Sequence, residues 1–108
     1  MIRLNVLYGH PADPAEFDRY YEAVHIPIAR TMQGLLGWTI GKCQPISGSE
    51  QPAYYMIVSL YAESRAAMEE ILASPAGQAT IADVPKFATG GVTFFYDEPT
   101  VLVPCTLT

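Results

Sequence analysis

Charge is scarce in this chain, and positive charge scarcest. Six Lys and Arg residues face eleven Asp and Glu among 108 residues, for a formal net charge of −5, and only 16% of the sequence is charged. The six cations are scattered, so no basic stripe tracks a phosphate backbone and nucleic acid is not an expected partner. Cysteine is nearly absent too. Cys43 and Cys105 stand alone, which excludes a disulfide framework. No CxxC or His/Cys cluster suggests zinc, and no metal site is expected. No apolar run reaches membrane-span length, and the opening MIRLNVLYGHP breaks before a signal-peptide core develops, so the expected location is the cytoplasm, with no membrane partner. Phosphate loops are missing as well. TGGVT (89–93) precedes a strand and opens no helix, so neither a nucleotide nor a nicotinamide or flavin cofactor is expected.

What the chain has in quantity is apolar surface: 50% of its residues are hydrophobic. The length suits one domain with a self-sufficient core, and the excess of apolar residues points to surface buried against a partner. IRLNVLY (2–8) alternates as a strand does. Asp13-Pro14-Ala15-Glu16 is a helix start, with a cap, a proline at the first turn and an acid at the capping-box position. Phe17, Tyr21, Val24 and Ile28 then recur at helical spacing, and Pro27 predicts that this helix kinks or ends near His25. GLLGWTIGKCQPI (34–46) and AYYMIVSLYA (53–62) read as strands, and ESRAAMEEILAS (63–74) as a helix packed through Ala66, Ala67 and Ile71. PAGQATIADVPKFA (75–88) reads as one or two short helical turns, and GGVTFFYD (90–97) as a last strand. The domain is expected over residues 1–98, followed by a tail over 99–108 whose Val101-Leu102-Val103 should pack on its own subunit or on a partner.

The order β-α-β-β-α-β is the ferredoxin-like α+β arrangement, with a four-stranded antiparallel sheet. Two helices cover one face only. Yet the third strand is apolar on both: Tyr54, Met56, Val58 and Leu60 point one way, Tyr55, Ile57 and Tyr61 the other. A second copy of the sheet is the simplest cover, which predicts a homodimer through sheet faces.

Two stretches, VLYGHPADPAEFDRYYEAVHIPIAR (6–30) and LASPAGQATIADVPKFATGGVTFFY (72–96), resemble the EthD family of the dimeric α+β barrel superfamily. The shared features are a Pro-x-Asp-Pro turn, an aromatic-rich helix ending in His-x-Pro, then Ser-Pro-x-Gly, Ala-Asp and Phe-Ala-x-Gly-Gly. The segment after the first helix departs from the pattern, with Gln33-Gly34-Leu35 where such proteins usually read Pro-Gly-Leu. The resemblance implies a small enzyme acting on a hydrophobic aromatic or cyclic molecule, associated with oxidoreductase systems of catabolism. It leaves oxidation, isomerisation and dehydration open, and it equally allows a non-catalytic carrier or accessory subunit serving an oxygenase.

His25 matches the family's His-x-Pro histidine and is the candidate general acid or base, with a structural role at the helix end as the alternative. The Ala23 carbonyl, left without a donor by Pro27, could hold its ring. Tyr21, one turn earlier, could orient a substrate oxygen. Tyr8 and Trp38 could wall a flat ligand. Tyr20 should point away, towards the surface or an interface, and His10 should lie in a solvated turn. Asp83 either pairs with His25, raising its pKa and fixing its tautomer, or caps the turn that follows.

Overall fold

The computed structural model describes residues 1–106; the last two residues of the 99–108 tail lie outside the described residues. Strand β1 runs Ile2–Tyr8 and leads into helix α1, Pro14–Tyr20. A π-helical turn, Tyr21–His25, joins α1 directly to α2, Ile26–Ala29. Strand β2 is Gly37–Lys42 and β3 is Met56–Ala62. Helix α3, Arg65–Ala73, is followed at once by α4, Pro75–Asp83, then a 3-10 turn Val84–Lys86 and strand β4, Val92–Asp97. The four strands form one antiparallel sheet in the order β2-β3-β1-β4, which is the ferredoxin-like α+β topology.

Register decides the two faces. Leu4 opposes Leu60 and Val6 opposes Val58, and these residues are buried beneath the helices with Ile2, Tyr8, Met56 and Ala62. A one-residue alternation puts Arg3, Asn5 and Leu7 on the other side, across from Tyr61, Ser59 and Ile57. Met68 and Ile71 supply the buried face of α3, while Ala66 is exposed. Met68 and Ile71, with Ala67 packed beside them, therefore define that face, and Ala66 does not.

Pro27 does not end the first helix. The Ile26 N–H bonds the Tyr21 carbonyl, five residues back, so the chain inserts one wide turn and then continues with Pro27 in the first turn of α2. There the missing N–H costs nothing. The wide turn also changes the stripe. Phe17, Tyr21, His25 and Ala29 are buried, whereas Val24 and Ile28 are only half-buried. Steps of four residues drift about 40° each round a regular α-helix, and a π turn takes up part of that drift.

The segment 75–88 is more ordered than short turns. Ser74 builds the α3–α4 corner by donating its hydroxyl to the Ile71 carbonyl (2.6 Å) and accepting from the Gly77 N–H (3.1 Å). Gly77 is required there, because a Cβ would overlap the Ile71 carbonyl and the Leu72 backbone. Gly90 has the same role beside the His10 carbonyl, where the Gly9 N–H bonds the Gly91 carbonyl at 2.9 Å. The Ser-Pro-x-Gly and Gly-Gly elements are thus two close backbone approaches. Val101, Leu102 and Val103 do not pack on their own subunit: all three are exposed. Among the described residues no helix is long and apolar enough to cross a membrane, and no group of three His, Cys, Asp or Glu is placed to hold a metal.

Candidate functional site

Between the helices and the sheet lies a cavity of about 50 Å³, bordered by Tyr8 from β1, Tyr21 and His25 from the π turn, Trp38 from β2 and Phe94 from β4. The four residues singled out from the sequence, His25, Tyr8, Tyr21 and Trp38, all border it. Its remaining walls are almost entirely aliphatic, with Val6, Val58 and Leu60 as the floor. At the β4 side Ile81 and Phe94 form a rim and are 47% and 49% exposed, so both have room to swing outward. The volume fits the reacting end of a ligand, not a whole aromatic molecule.

His25 is buried and its Nδ1 lies 2.9 Å from Oδ2 of Asp83. It bonds this carboxylate, not the Ala23 carbonyl, because α2 packs against α4 and brings Asp83 alongside the wide turn. The other carboxylate oxygen, Oδ1, accepts from the Tyr20 hydroxyl at 2.7 Å, and Lys86 Nζ is 4.0 Å from it. Tyr20 therefore turns inward onto Asp83, against the sequence expectation. Asp83 makes no cap to the following turn. Phe87 packs on the imidazole at 4.6 Å between centroids, and Tyr21 lies at 5.0 Å.

The pairing does not raise the histidine's pKa as expected from the sequence. Burial, which disfavours the imidazolium, outweighs the carboxylate and holds His25 below its usual 6.5. Asp83 itself stays below the ordinary carboxylate range: bonds from Tyr20 and His25 together overcome its burial. The pair is thus a neutral imidazole beside a carboxylate. Since a carboxylate only accepts, Nδ1 carries the proton and Nε2 holds a lone pair. Burial pushes the phenols of Tyr8 and Tyr21 well above their usual range, so both stay protonated donors. The site joins one base to two neutral donors in an apolar setting.

His10, the other histidine, is pinned and not simply solvated. Its Nε2 lies 2.6 Å from the Pro52 carbonyl and Gln51 bonds its Nδ1, so it anchors the β2–β3 loop away from the cavity.

A family model, the EthD domain, matches residues 9–91. The chain belongs to the EthD family. It is also 44% identical over 103 residues to the uncharacterized 11.0 kDa protein in the thcB-thcC intergenic region of Rhodococcus erythropolis, covering 94% of this chain and 99% of that one. Among solved structures it is similar to an ethyl tert-butyl ether d (ethd) family protein from Bacillus halodurans, with 26% identity, a TM-score of 0.82, and coverage of 93% and 99%. A dimeric ferredoxin-like protein of unknown function from Thermobifida fusca shares the fold at 10% identity, TM-score 0.67, with 89% and 88% covered.

In this EthD chain, sequence reasoning missed Tyr20 and Phe87 as neighbours of the histidine. The family's Ala-Asp element was the one signal for Asp83, and the Phe of Phe-Ala-x-Gly-Gly was a signal for Phe87 left unused. Neither shows in local periodicity, because His25 and Asp83 are 58 residues apart.

Proposed function

We propose that this EthD protein is an enzyme of proton transfer, acting on a small aromatic or cyclic molecule, with His25 as its general base. The observation that carries this reading is the buried His25–Asp83 pair at 2.9 Å beside an apolar cavity. Asp83 holds Nδ1–H, so the Nε2 lone pair is the side of the ring free to meet a ligand. It would take a proton from a hydroxyl or an activated C–H, becoming an imidazolium opposed by Asp83. The substrate becomes an enolate or phenolate, and the phenols of Tyr8 and Tyr21 would donate to its oxygen. Return of the proton to the same or another atom gives exchange, isomerisation or, with loss of a hydroxyl, dehydration. Trp38 and Phe94 would flank the ring of the substrate.

The catalytic unit is proposed to be a homodimer. The sheet face away from the helices carries Ile57 and Phe95, 42% and 47% exposed, with Leu7 and Tyr61 on the same face, and the Thermobifida fusca fold relative is described as dimeric. A standard interface would cover ~1,600 Å², and the exposed Val101–Val103 segment would add an apolar contact to the partner.

Exchange of the α-protons of 2-tetralone in D2O tests the chemistry. Wild-type protein should accelerate deuterium uptake over buffer, and His25→Gln should lose about 10²-fold or more of that rate while folding and associating normally. Exchange no faster than buffer, or a variant as fast as wild type, contradicts the reading.

A further inference from the structure

Five of the six Lys and Arg side chains make an ion pair: Arg3 with Asp97, Arg19 with Glu16, Lys42 with Asp18, Arg65 with Glu69 and Lys86 with Asp83. Arg30 makes none among the described residues. It caps the C-terminal end of α2, one residue after Ala29, which lines the cavity. Its guanidinium lies 5.9 Å from the centre of the Trp38 ring, and Trp38 forms the β2-side wall of the same cavity.

The two ends of the cavity therefore differ. The β4 end is rimmed by Ile81 and Phe94, both apolar. The β2 end has an indole wall with an unpaired cation over its ring, 5.9 Å from the ring centre. On that side an open groove of about 580 Å³ runs between α1–α2 and β2, bordered by Tyr21, Pro27, Arg30 and Ile40. Tyr21 borders both the groove and the cavity. Two of the groove's other charges pair with each other: Asp18 is held by Lys42 at 2.8 Å and by the Tyr55 hydroxyl at 2.7 Å. Glu22 also borders the groove, two turns before Arg30, and makes no ion pair among the described residues, so a negative group is favoured only at the Arg30 end.

Building on the proposed base at His25, we infer that the substrate is an acid. Its reacting end occupies the small cavity, its apolar body crosses Trp38 and Tyr21, and its carboxylate or other anionic group bonds Arg30. The cavity is too small for a whole ligand, so the rest of the molecule has to lie outside it. A guanidinium over an aromatic face, with no ion pair of its own, is suited to a planar carboxylate. In a chain of net charge −5, an anionic ligand needs such a local cation.

Two probes separate the contributions: 3-(4-hydroxyphenyl)propanoate, a phenol with a carboxylate, and 3-(4-hydroxyphenyl)propan-1-ol, its neutral counterpart. Both are titrated into wild-type and Arg30→Gln protein, with affinity read from Trp38 fluorescence and cavity occupancy from the His25 ring resonances. In wild type the acid should bind roughly fivefold to tenfold more tightly than the alcohol, as a charge-assisted hydrogen bond at an exposed site allows. The preference should shrink as salt rises. Arg30→Gln should reduce the acid to the alcohol's affinity and leave the alcohol unchanged. Both probes should move the His25 resonances in both proteins. Equal affinities in wild type, or a preference that survives Arg30→Gln, with His25 still perturbed, overturns the role of Arg30 and leaves the cavity as a site. If neither probe moves His25, the cavity is no phenol site, and this inference falls with the reading beneath it.

Discussion

The two faces of the sheet are built from alternate residues of the same strands, yet they solve opposite problems. The helix-covered face is closed over β1 and β3. Leu4, Val6, Val58, Leu60 and Met56 bury against Phe17, Tyr21, Met68 and Phe87, and a buried ionisable pair, His25–Asp83, is anchored among aromatic rings. The other face is half open and carries its charge in plain contact. The Arg3 guanidinium bonds both oxygens of Asp97, at 2.8 and 2.5 Å, and Asn5 donates to the same carboxylate at 2.8 Å. There Arg3 and Asn5 hold Asp97 down at about 2 by hydrogen bonding. On the closed face burial wins over the carboxylate and keeps the imidazole neutral. One face thus holds a buried neutral imidazole, and the other a fixed polar cluster between apolar residues.

That contrast predicts unequal costs. Met68→Ala, at a fully buried position, should destabilise the fold by about 2–5 kcal/mol, measured by urea denaturation. Ile57→Ala on the open face should stay within about 0.5 kcal/mol for the separated chain. Comparable values for the two would erase the distinction. Asp83→Ala leaves Nδ1–H of His25 and the Tyr20 hydroxyl without their shared acceptor. A loss of about 1–3 kcal/mol is expected in the same assay. Ile57→Asp places a charge in the proposed dimer contact and should raise the dimer dissociation constant about tenfold or more without unfolding the chain. Light scattering that shows a wild-type monomer at micromolar concentration would remove the basis for that prediction.

The smallest effect is pH-dependent. His25 has a folded-state pKa below its unfolded value of about 6.5. Between the two values the unfolded chain binds more protons, so stability rises with pH there. The contribution is complete above about 6.5 and is lost as pH falls through the depressed value. Wild-type Tm should therefore drop more steeply than that of His25→Gln as the pH is lowered from 7. Parallel curves would mean that the imidazole is not held neutral by burial.

Much of the fold was legible because its signals are local. The alternation of IRLNVLY placed β1 at residues 2–8, and Asp13 does cap α1, accepting from the Glu16 N–H at 3.2 Å. The element order β-α-β-β-α-β and its four-stranded antiparallel sheet followed from the elements alone. The disturbance that Pro27 predicts near His25 is there as a π turn and not as an end to the helix: after that turn the proline falls in a first helical turn, where it is tolerated. The sequence also brought forward His25, Tyr21, Tyr8 and Trp38 as candidates, and they border one cavity. The setting of the histidine was not legible. Whether burial or the carboxylate sets its charge depends on how α4 and Phe87 close over it, and that is a property of packing, not of spacing.

The central claim is that His25 is a neutral, Nδ1-protonated base whose Nε2 is unprotonated at neutral pH. Long-range proton–nitrogen NMR on uniformly 15N-labelled protein reads this directly, and His25→Gln assigns the signal, since the chain has only two histidines. A protonated Nδ1 and an unprotonated Nε2 at pH 7, with a titration midpoint below 6.5, is the predicted result. An Nε2-protonated ring, or a midpoint above 6.5, would contradict it.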